Sequence, residues 1–198
     1  EVVVIGAGTV GEFATRAALG LGASVKVFDN SLTRLRRLQN DLSLRVYTSI
    51  IQPKVLAKAI RRADVVIGAL RSPIGRTPCV VSEEMIQEMK SGSVLVDVSI
   101  DQGGCFETTR PTTHQDPTYI IDDVVHYCVA NMPGAVPVTS TYALTNVTLP
   151  FAIQIANLGW EKALKQNPDL AKGLNTHAGK VTYKAVAEAH GYEFSPVL

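Results

Sequence analysis

Gly6-Ala7-Gly8-Thr9-Val10-Gly11 sets three glycines at the spacing G-x-G-x-x-G, directly after the apolar run Val2-Val3-Val4-Ile5 and ahead of a helical pattern. Glycine at the first position permits a tight turn. At the second it leaves the backbone open to a bulky anion, and at the third it lets the helix pack closely on the strand. Amides at the start of the helix then face negative charge, helped by the helix dipole, so the chemistry served is phosphate binding. Asp29 closes the next apolar run, about twenty residues on, where such a fold holds a carboxylate for the adenosine ribose of a dinucleotide. Capping the following helix is the other role open to it. The charge of Asp29 favours NAD over NADP, because a unit charge pair at 4 Å is worth about 4 kcal/mol at an effective dielectric of 20, before screening. Arg34 offsets part of that repulsion.

Two further segments follow apolar runs and could reach the same site. One is Asp97-Val98-Ser99-Ile100-Asp101-Gln102-Gly103-Gly104-Cys105-Phe106-Glu107, and the other is Tyr127-Cys128-Val129-Ala130-Asn131-Met132-Pro133-Gly134-Ala135-Val136-Pro137. As a loop aspartate, Asp101 can bond the backbone amides of Gly103 and Gly104. His114, His126, His177 and His190 have no evident acid–base partner and read as surface or structural residues. Cys79, Cys105 and Cys128 are odd in number and lack metal-ligand spacing, which fits reduced thiols in a cytosolic protein, with Cys128 a small core residue. Asn146-Val147-Thr148 matches a glycosylation acceptor by chance. The arginines at 34, 36 and 37 and at 61 and 62 read as solvated helix faces, Arg34 being the best candidate for local phosphate contact.

The elements that must position these residues follow from periodicity. Apolar runs alternate with helical patterns over the first two-thirds of the chain, the mark of βαβ units and a parallel sheet. Strands are expected at Val2–Ile5, 24–28, 45–48, 64–68 and 94–98, with 119–121 and 127–130 extending the sheet. The helix after the glycine turn should bury Val10, Ala14, Ala17, Ala18 and Leu21. A helix over 31–42, capped by Ser31, should bury Leu32, Leu35, Leu38 and Leu42. Others are expected over 53–62 and from a capped start near Ser82, with Met85, Ile86 and Met89 as core. Beyond Pro137 the pattern changes to a long apolar helix over 138–160, interrupted or kinked at Pro150, and a last helix over 180–190. The fold class is α/β, a Rossmann-type doubly wound parallel sheet followed by a helical C-terminal segment of an incomplete second domain. The chain opens inside a buried strand, so a preceding segment is expected.

In bulk, the 198 residues are 46% hydrophobic and 19% charged with a net charge of +1, a balance without a field for nucleic acid or an anionic membrane. No apolar run approaches the ~20 residues of a membrane-spanning helix, and no signal peptide is visible.

The two glycine-bearing segments above, with Arg110-Pro111-Thr112-Thr113 between them, Thr139-Ser140-Thr141-Tyr142-Ala143-Leu144-Thr145-Asn146 after them and Lys172-Gly173-Leu174-Asn175-Thr176-His177 near the end, closely resemble alanine dehydrogenases. The resemblance runs through essentially the whole chain. It implies reversible oxidative deamination of L-alanine to pyruvate and ammonia, with hydride passing to NAD. It further implies that residues 1–137 are an NAD(H)-binding Rossmann domain inserted into a substrate domain, to which 138–198 return. By the same resemblance the cofactor contacts are Gly6, Gly8, Thr9, Val10 and Gly11, Asp29 and Arg34 at the adenosine ribose, and Leu70 and Arg71. Val98, Ser99, Ile100 and Asp101 would lie beside the nicotinamide, with Arg110, Val129, Ala130, Asn131 and Met132 closing the pocket. Asp101 becomes the catalytic candidate, helping proton transfer or orienting a water and the nicotinamide ribose. Ile51 stands where relatives carry a serine hydroxyl, and Leu158 where some carry a histidine metal ligand, so no metal is expected. The substrate-handling lysine and histidine of the family belong to a stretch upstream of this chain. A cytoplasmic homo-oligomer is implied, a hexamer built partly through the apolar helix. Two other readings stay open: the nucleotide-binding module of a proton-translocating transhydrogenase, and an NADH-sensing regulator without chemistry.

Overall fold

A computed structural model describes residues 1–42, 44–72 and 75–197. They divide into two compact units, Glu1–Met132 and Pro133–Leu198. In the first unit the strands are β1 (Val2–Ile5), β2 (Val25–Phe28), β3 (Tyr47–Ser49), β4 (Val65–Gly68), β5 (Val94–Asp97), β6 (Thr118–Ile121) and β7 (Val124–Tyr127), in the sheet order β3-β2-β1-β4-β5-β7-β6. All neighbours are parallel except β6, which runs antiparallel to β7 at one edge.

Side chains on a strand alternate between its two faces, and β1 feeds both. Val3 and Ile5 join one apolar cluster with Leu56, Ala59 and Ile60 of α3 (Pro53–Ile60) and Ile86 of α4 (Glu83–Gln87). Val2 and Val4 join the other, with Leu35 and Leu38 of α2 (Leu32–Asp41) and Ala18 and Leu19 of α1 (Thr9–Gly20). Helices thus cover both faces, the doubly wound arrangement expected from the sequence.

Several boundaries and faces differ from expectation. The third strand sits at Tyr47–Ser49 rather than 45–48. The strand expected over 127–130 is Val124–Tyr127, because Asp122 and Asp123, both at positive φ (50° and 60°), turn the chain straight from β6 into β7. Two consecutive residues of that kind are what a tight hairpin requires. On α1 the buried residues are Gly11 and Thr15, while Val10 and Leu21 are exposed and Ala17 faces solvent. The packed face is rotated because the glycine turn must bring Gly11 against the sheet. Thr15 tolerates burial because its hydroxyl donates to the Gly11 carbonyl at 2.7 Å. Leu32 is exposed too, leaving Leu35, Leu38 and Leu42 as the buried stripe of α2. Ser31 does cap that helix, accepting the Arg34 amide at 3.3 Å. Ser82 makes no such bond to α4; the Glu107 carboxylate accepts the Glu83 amide at 2.9 Å instead.

The second unit is helical with one small hairpin. α5 (Pro137–Leu158) runs uninterrupted through Pro150 and buries none of its residues. Gly159, at φ 75°, turns the chain into α6 (Trp160–Gln166), and α7 (Pro168–Ala171) follows with Asn167 as its cap. The helix expected over 180–190 begins only at Lys184, as α8 (Lys184–His190). Lys180–Val181 is the strand β9, paired with β8 (Thr176–His177) across Ala178 and Gly179, which both adopt positive φ. Among the described residues no helix is long and apolar enough to cross a membrane.

Candidate functional site

The carboxyl ends of β1, β2, β4 and β5 open onto one edge of the sheet, the edge at which doubly wound folds bind ligands. At its centre Gly6 adopts φ 115°, and a Cβ there would lie 2.4 Å from the Ala69 carbonyl oxygen. A Cβ on Gly11 would stand 1.8 Å from the Gly6 oxygen, so α1 crosses β1 too closely for any side chain. Gly8 differs: nothing lies within 4 Å of where its Cβ would be. The intrahelical ladder includes Glu12 N to Gly8 O at 2.9 Å. As in any helix, the amides ahead of that bond have no carbonyl one turn earlier to pair with.

Asp29 is 3% exposed and carries more than one duty. Its Oδ2 accepts the Ala7 amide at 2.8 Å, which ties the glycine turn to the end of β2. Its Oδ1 accepts the Ser31 amide at 2.7 Å, so it braces the start of α2 although Ser31 is the cap. The Arg34 guanidinium stands 3.6 Å from Oδ2. A carboxylate offers about four lone-pair directions, and these bonds leave some of them for a ribose.

Two hollows, of about 300 and 210 Å³, share Val10, Ala69, Leu70 and Arg71. The larger adds Gly8, Thr9, Asp29, Arg34 and Arg37, a setting for phosphate and ribose; the smaller adds Val98, Ser99, Asp101 and Gln102. Ala69 and Gln102 were not expected at the site from the sequence, and Arg37 was expected only on a solvated helix face. Arg37 is the most telling, since its guanidinium reaches the Ala7 carbonyl at 3.3 Å from the exposed face of α2. Another hollow, between α2 and β3 and lined by residues such as Leu32, Gln39 and Thr48, has neither glycine turn nor carboxylate.

The loop after β5 is tightly organised. Ser99 donates its hydroxyl to the Leu70 carbonyl at 2.7 Å, and Ile100 is buried. The amides of Gly103 and Gly104 are taken by the carbonyls of Ile100 and Ser99. Asp101 is therefore not the group that holds those glycines. Its exposed carboxylate instead accepts the Asn131 amide at 3.4 Å. Asn131 sits at φ 56° just past β7, with its carbonyl 3.1 Å from His114 Nε2. The remaining residues expected to close the pocket line neither hollow. Val129 is 1% exposed, Met132 is half-buried and Ala130 is exposed, its amide donating to Thr112 O. Arg110 lies over the Tyr119 ring, 4.2 Å from its centroid. Ile51 packs its side chain against the core beside α3.

Beneath this loop lies a group that the sequence reading passed over. Asp97 ends β5 and is fully buried; burial raises its carboxyl above the ordinary range, against hydrogen bonds from Thr109, Cys105 and Ser99 that lower it. A signal was present in the repeated Asp-x-Ser of Asp29-Asn30-Ser31 and Asp97-Val98-Ser99, each closing an apolar strand. Of the histidines, His126 is wholly buried, its Nδ1 2.9 Å from the Val124 carbonyl and its Nε2 2.8 Å from the Thr108 hydroxyl. Cys105 and Cys128 are buried and Cys79 exposed, all as free thiols. Among the described residues no group of three His, Cys, Asp or Glu side chains is placed to hold a metal ion.

Comparison with known proteins gives a consistent result. Residues 1–184 match the model of the family described as alanine dehydrogenase/PNT, C-terminal domain. The chain is 55% identical to an alanine dehydrogenase of Halomonas elongata over 194 residues, covering 98% of this chain and 52% of that protein. It is 49% identical to one from Mycobacterium tuberculosis over 195 residues, covering 98% and 53%. The chain thus spans about half the length of the curated relatives it matches. A solved L-alanine dehydrogenase superimposes with a TM-score of 0.86 at 45% identity, over 96% of this chain and 52% of the other. A transhydrogenase from Sinorhizobium meliloti shares the fold, with a TM-score of 0.66 at 24% identity over 93% and 49%.

Proposed function

The chain belongs to the alanine dehydrogenase/PNT family, matching its C-terminal domain, and on that premise we propose that it is the NAD(H)-binding part of an L-alanine dehydrogenase. The reaction of the whole protein would be the reversible oxidation of L-alanine to pyruvate and ammonia. The family model covers both, but identities of 55% and 49% to alanine dehydrogenases favour this over a transhydrogenase module, whose solved relative is 24% identical. The observation that carries the reading is the crevice where the open space over Gly8 adjoins the buried carboxylate of Asp29. That pairing suits a pyrophosphate and a ribose.

On this reading, bound NAD would supply the acceptor for the hydride leaving the substrate carbon. The chain's own residues bind and orient. The amides around Gly8, Thr9 and Val10 meet the pyrophosphate, with Gly6 and Gly11 shaping the turn. Asp29 takes the ribose hydroxyls, and Arg34 flanks them. Leu70 and Arg71 border the middle of the cofactor. Val98, Ser99 and Ile100 form the backbone edge of the nicotinamide end, where Asp101 stands ready to accept or return a proton. Arg110, Val129, Ala130, Asn131 and Met132 are assigned to the far wall of that end.

Residues 1–137 are the cofactor domain in this proposal, and 138–198 belong to the substrate domain. The intact protein is proposed to be cytoplasmic and a homo-oligomer, a hexamer assembled partly through α5. The test is fluorescence titration of the protein with NADH and with NADPH. Binding of NADH should exceed that of NADPH by roughly tenfold or more, since a 2′-phosphate would meet the Asp29 charge. Equal affinities, or no binding of either, would overturn the assignment.

A further inference from the structure

The loop that bears Asp101 leaves β5 at Asp97 and returns to the body of the unit at Cys105. Both junctions meet at a single side chain. Asp97 Oδ1 accepts the Ser99 amide at 3.0 Å at the outgoing end, and Oδ2 accepts the Cys105 amide at 3.1 Å at the returning end. The Thr109 hydroxyl donates to Oδ2 at 2.8 Å, adding the turn that precedes Arg110. Gly104 runs so close over this carboxylate that a Cβ would lie 2.7 Å from Oδ2, at a backbone φ of 75°.

An aspartate is the side chain that these partners demand. The two backbone amides can only donate, the Thr109 hydroxyl can donate either here or to the Phe106 carbonyl at 2.9 Å, and an ionised carboxylate is acceptor-only, with two oxygens able to take them together. Asparagine offers one oxygen, so its amide would turn hydrogens toward one of the two backbone amides, which can only donate. Charged acceptors give the stronger hydrogen bonds, and burial removes the water that would compete for them. The same geometry occurs at Asp29, which takes the amide two residues on with one oxygen and a distant loop amide with the other. The two strand ends that flank the crevice are therefore closed by one device used twice.

We propose that Asp97 is the positioning residue of the catalytic loop, its buried carboxylate pinning both ends of residues 98–104 and so fixing where Asp101 stands. The consequence for catalysis rests on the reading of Asp101 as the proton-handling carboxylate, whereas the pinning itself does not. Asp97 touches neither hollow and takes no part in binding the cofactor.

The test is Asp97→Asn in the full-length protein, read by hydrogen exchange, by NADH titration and by steady-state kinetics. Uptake of deuterium over 98–105 should quicken, while exchange in β1 and β4 stays as in the wild type. The dissociation constant for NADH should move less than about threefold. Turnover of alanine should fall by roughly 10- to 100-fold, the scale at which small displacements of a reacting group act. Unchanged uptake over 98–105 in a folded variant overturns the proposal, as does a loss of NADH binding equal to the loss of turnover. If the variant does not fold, Thr109→Val removes one donor and leaves the carboxylate. Faster uptake over the same loop then supports the pinning, and wild-type uptake refutes it. A wild-type protein inactive with alanine would sink the functional reading, yet the exchange comparison would still decide the role of Asp97.

Discussion

Two carboxylates stand at the crevice mouth under different constraints. Asp29 is buried and bonded on both oxygens, so its place is fixed before any ligand arrives. Asp101 is exposed, and among the described residues its carboxylate accepts the Asn131 amide at 3.4 Å. Asp101→Asn preserves an oxygen that can still accept from Asn131 but cannot carry a proton. In the intact enzyme turnover should fall by roughly 10²-fold or more, with NADH affinity little changed. Steady-state rates over a range of pH, beside a cofactor titration, would measure this. Near-normal turnover with an unaltered pH profile would leave Asp101 as a tether for the turn after β7. Much of the residue-scale picture was legible in the sequence, because the glycine turn and Asp29 are defined by short local spacing. Asp97 was less so: its partners Cys105 and Thr109 lie further along the chain, and only the folded loop brings them to it.

Within α1 and its preceding turn, the three glycines of one motif answer to different physical demands. Gly11 is excluded from bearing a side chain because a Cβ there would collide with the Gly6 carbonyl, whereas Gly8 has open space and an ordinary extended conformation at φ −77°. Gly11→Ala should therefore cost at least the roughly 1–3 kcal/mol typical of overpacking, visible as a lowered urea midpoint. Gly8→Ala should cost under about 1 kcal/mol, as for helix-cap changes of this size, yet weaken NADH binding by about tenfold or more, since the methyl enters the phosphate path. Equal stability losses in the two variants would contradict this division of labour. The strand–helix order was readable from apolar periodicity, but which face of α1 turns inward was not. A hydrophobic count favours Val10, Ala14, Ala17, Ala18 and Leu21; Ala18 does pack on the core, while Gly11 and Thr15 are buried where Val10, Ala17 and Leu21 are exposed. Close approach outweighs apolar area there, and the Thr15 hydroxyl satisfies itself on the helix. Likewise β7 was misplaced by following the apolar run and overlooking Asp122-Asp123, whose backbone makes the hairpin.

As a whole, the chain is one sheet-bearing unit and one unit whose longest helix buries none of its residues. Among the described residues the two hollows at the crevice are lined by neither of the side-chain types, lysine and histidine, that the family resemblance assigns to the substrate. The 198-residue chain should accordingly bind NADH but give no measurable reductive amination of pyruvate, followed by NADH absorbance with excess ammonium. Turnover at the rate of an intact enzyme would place the substrate site within these residues. The central position of β1 carries a cost of another kind. Val2 must pair with Val25 on one side and with Val65 on the other, and β4 emerges from the ribosome well after β1. At ~5–20 residues per second the strand Val2–Ile5 waits roughly 3–12 s with one edge open. Through that interval an apolar, β-branched segment is available to a neighbouring nascent chain. The vulnerable moment in the life of this protein thus falls during its synthesis, before the strand that will shield its centre has been made.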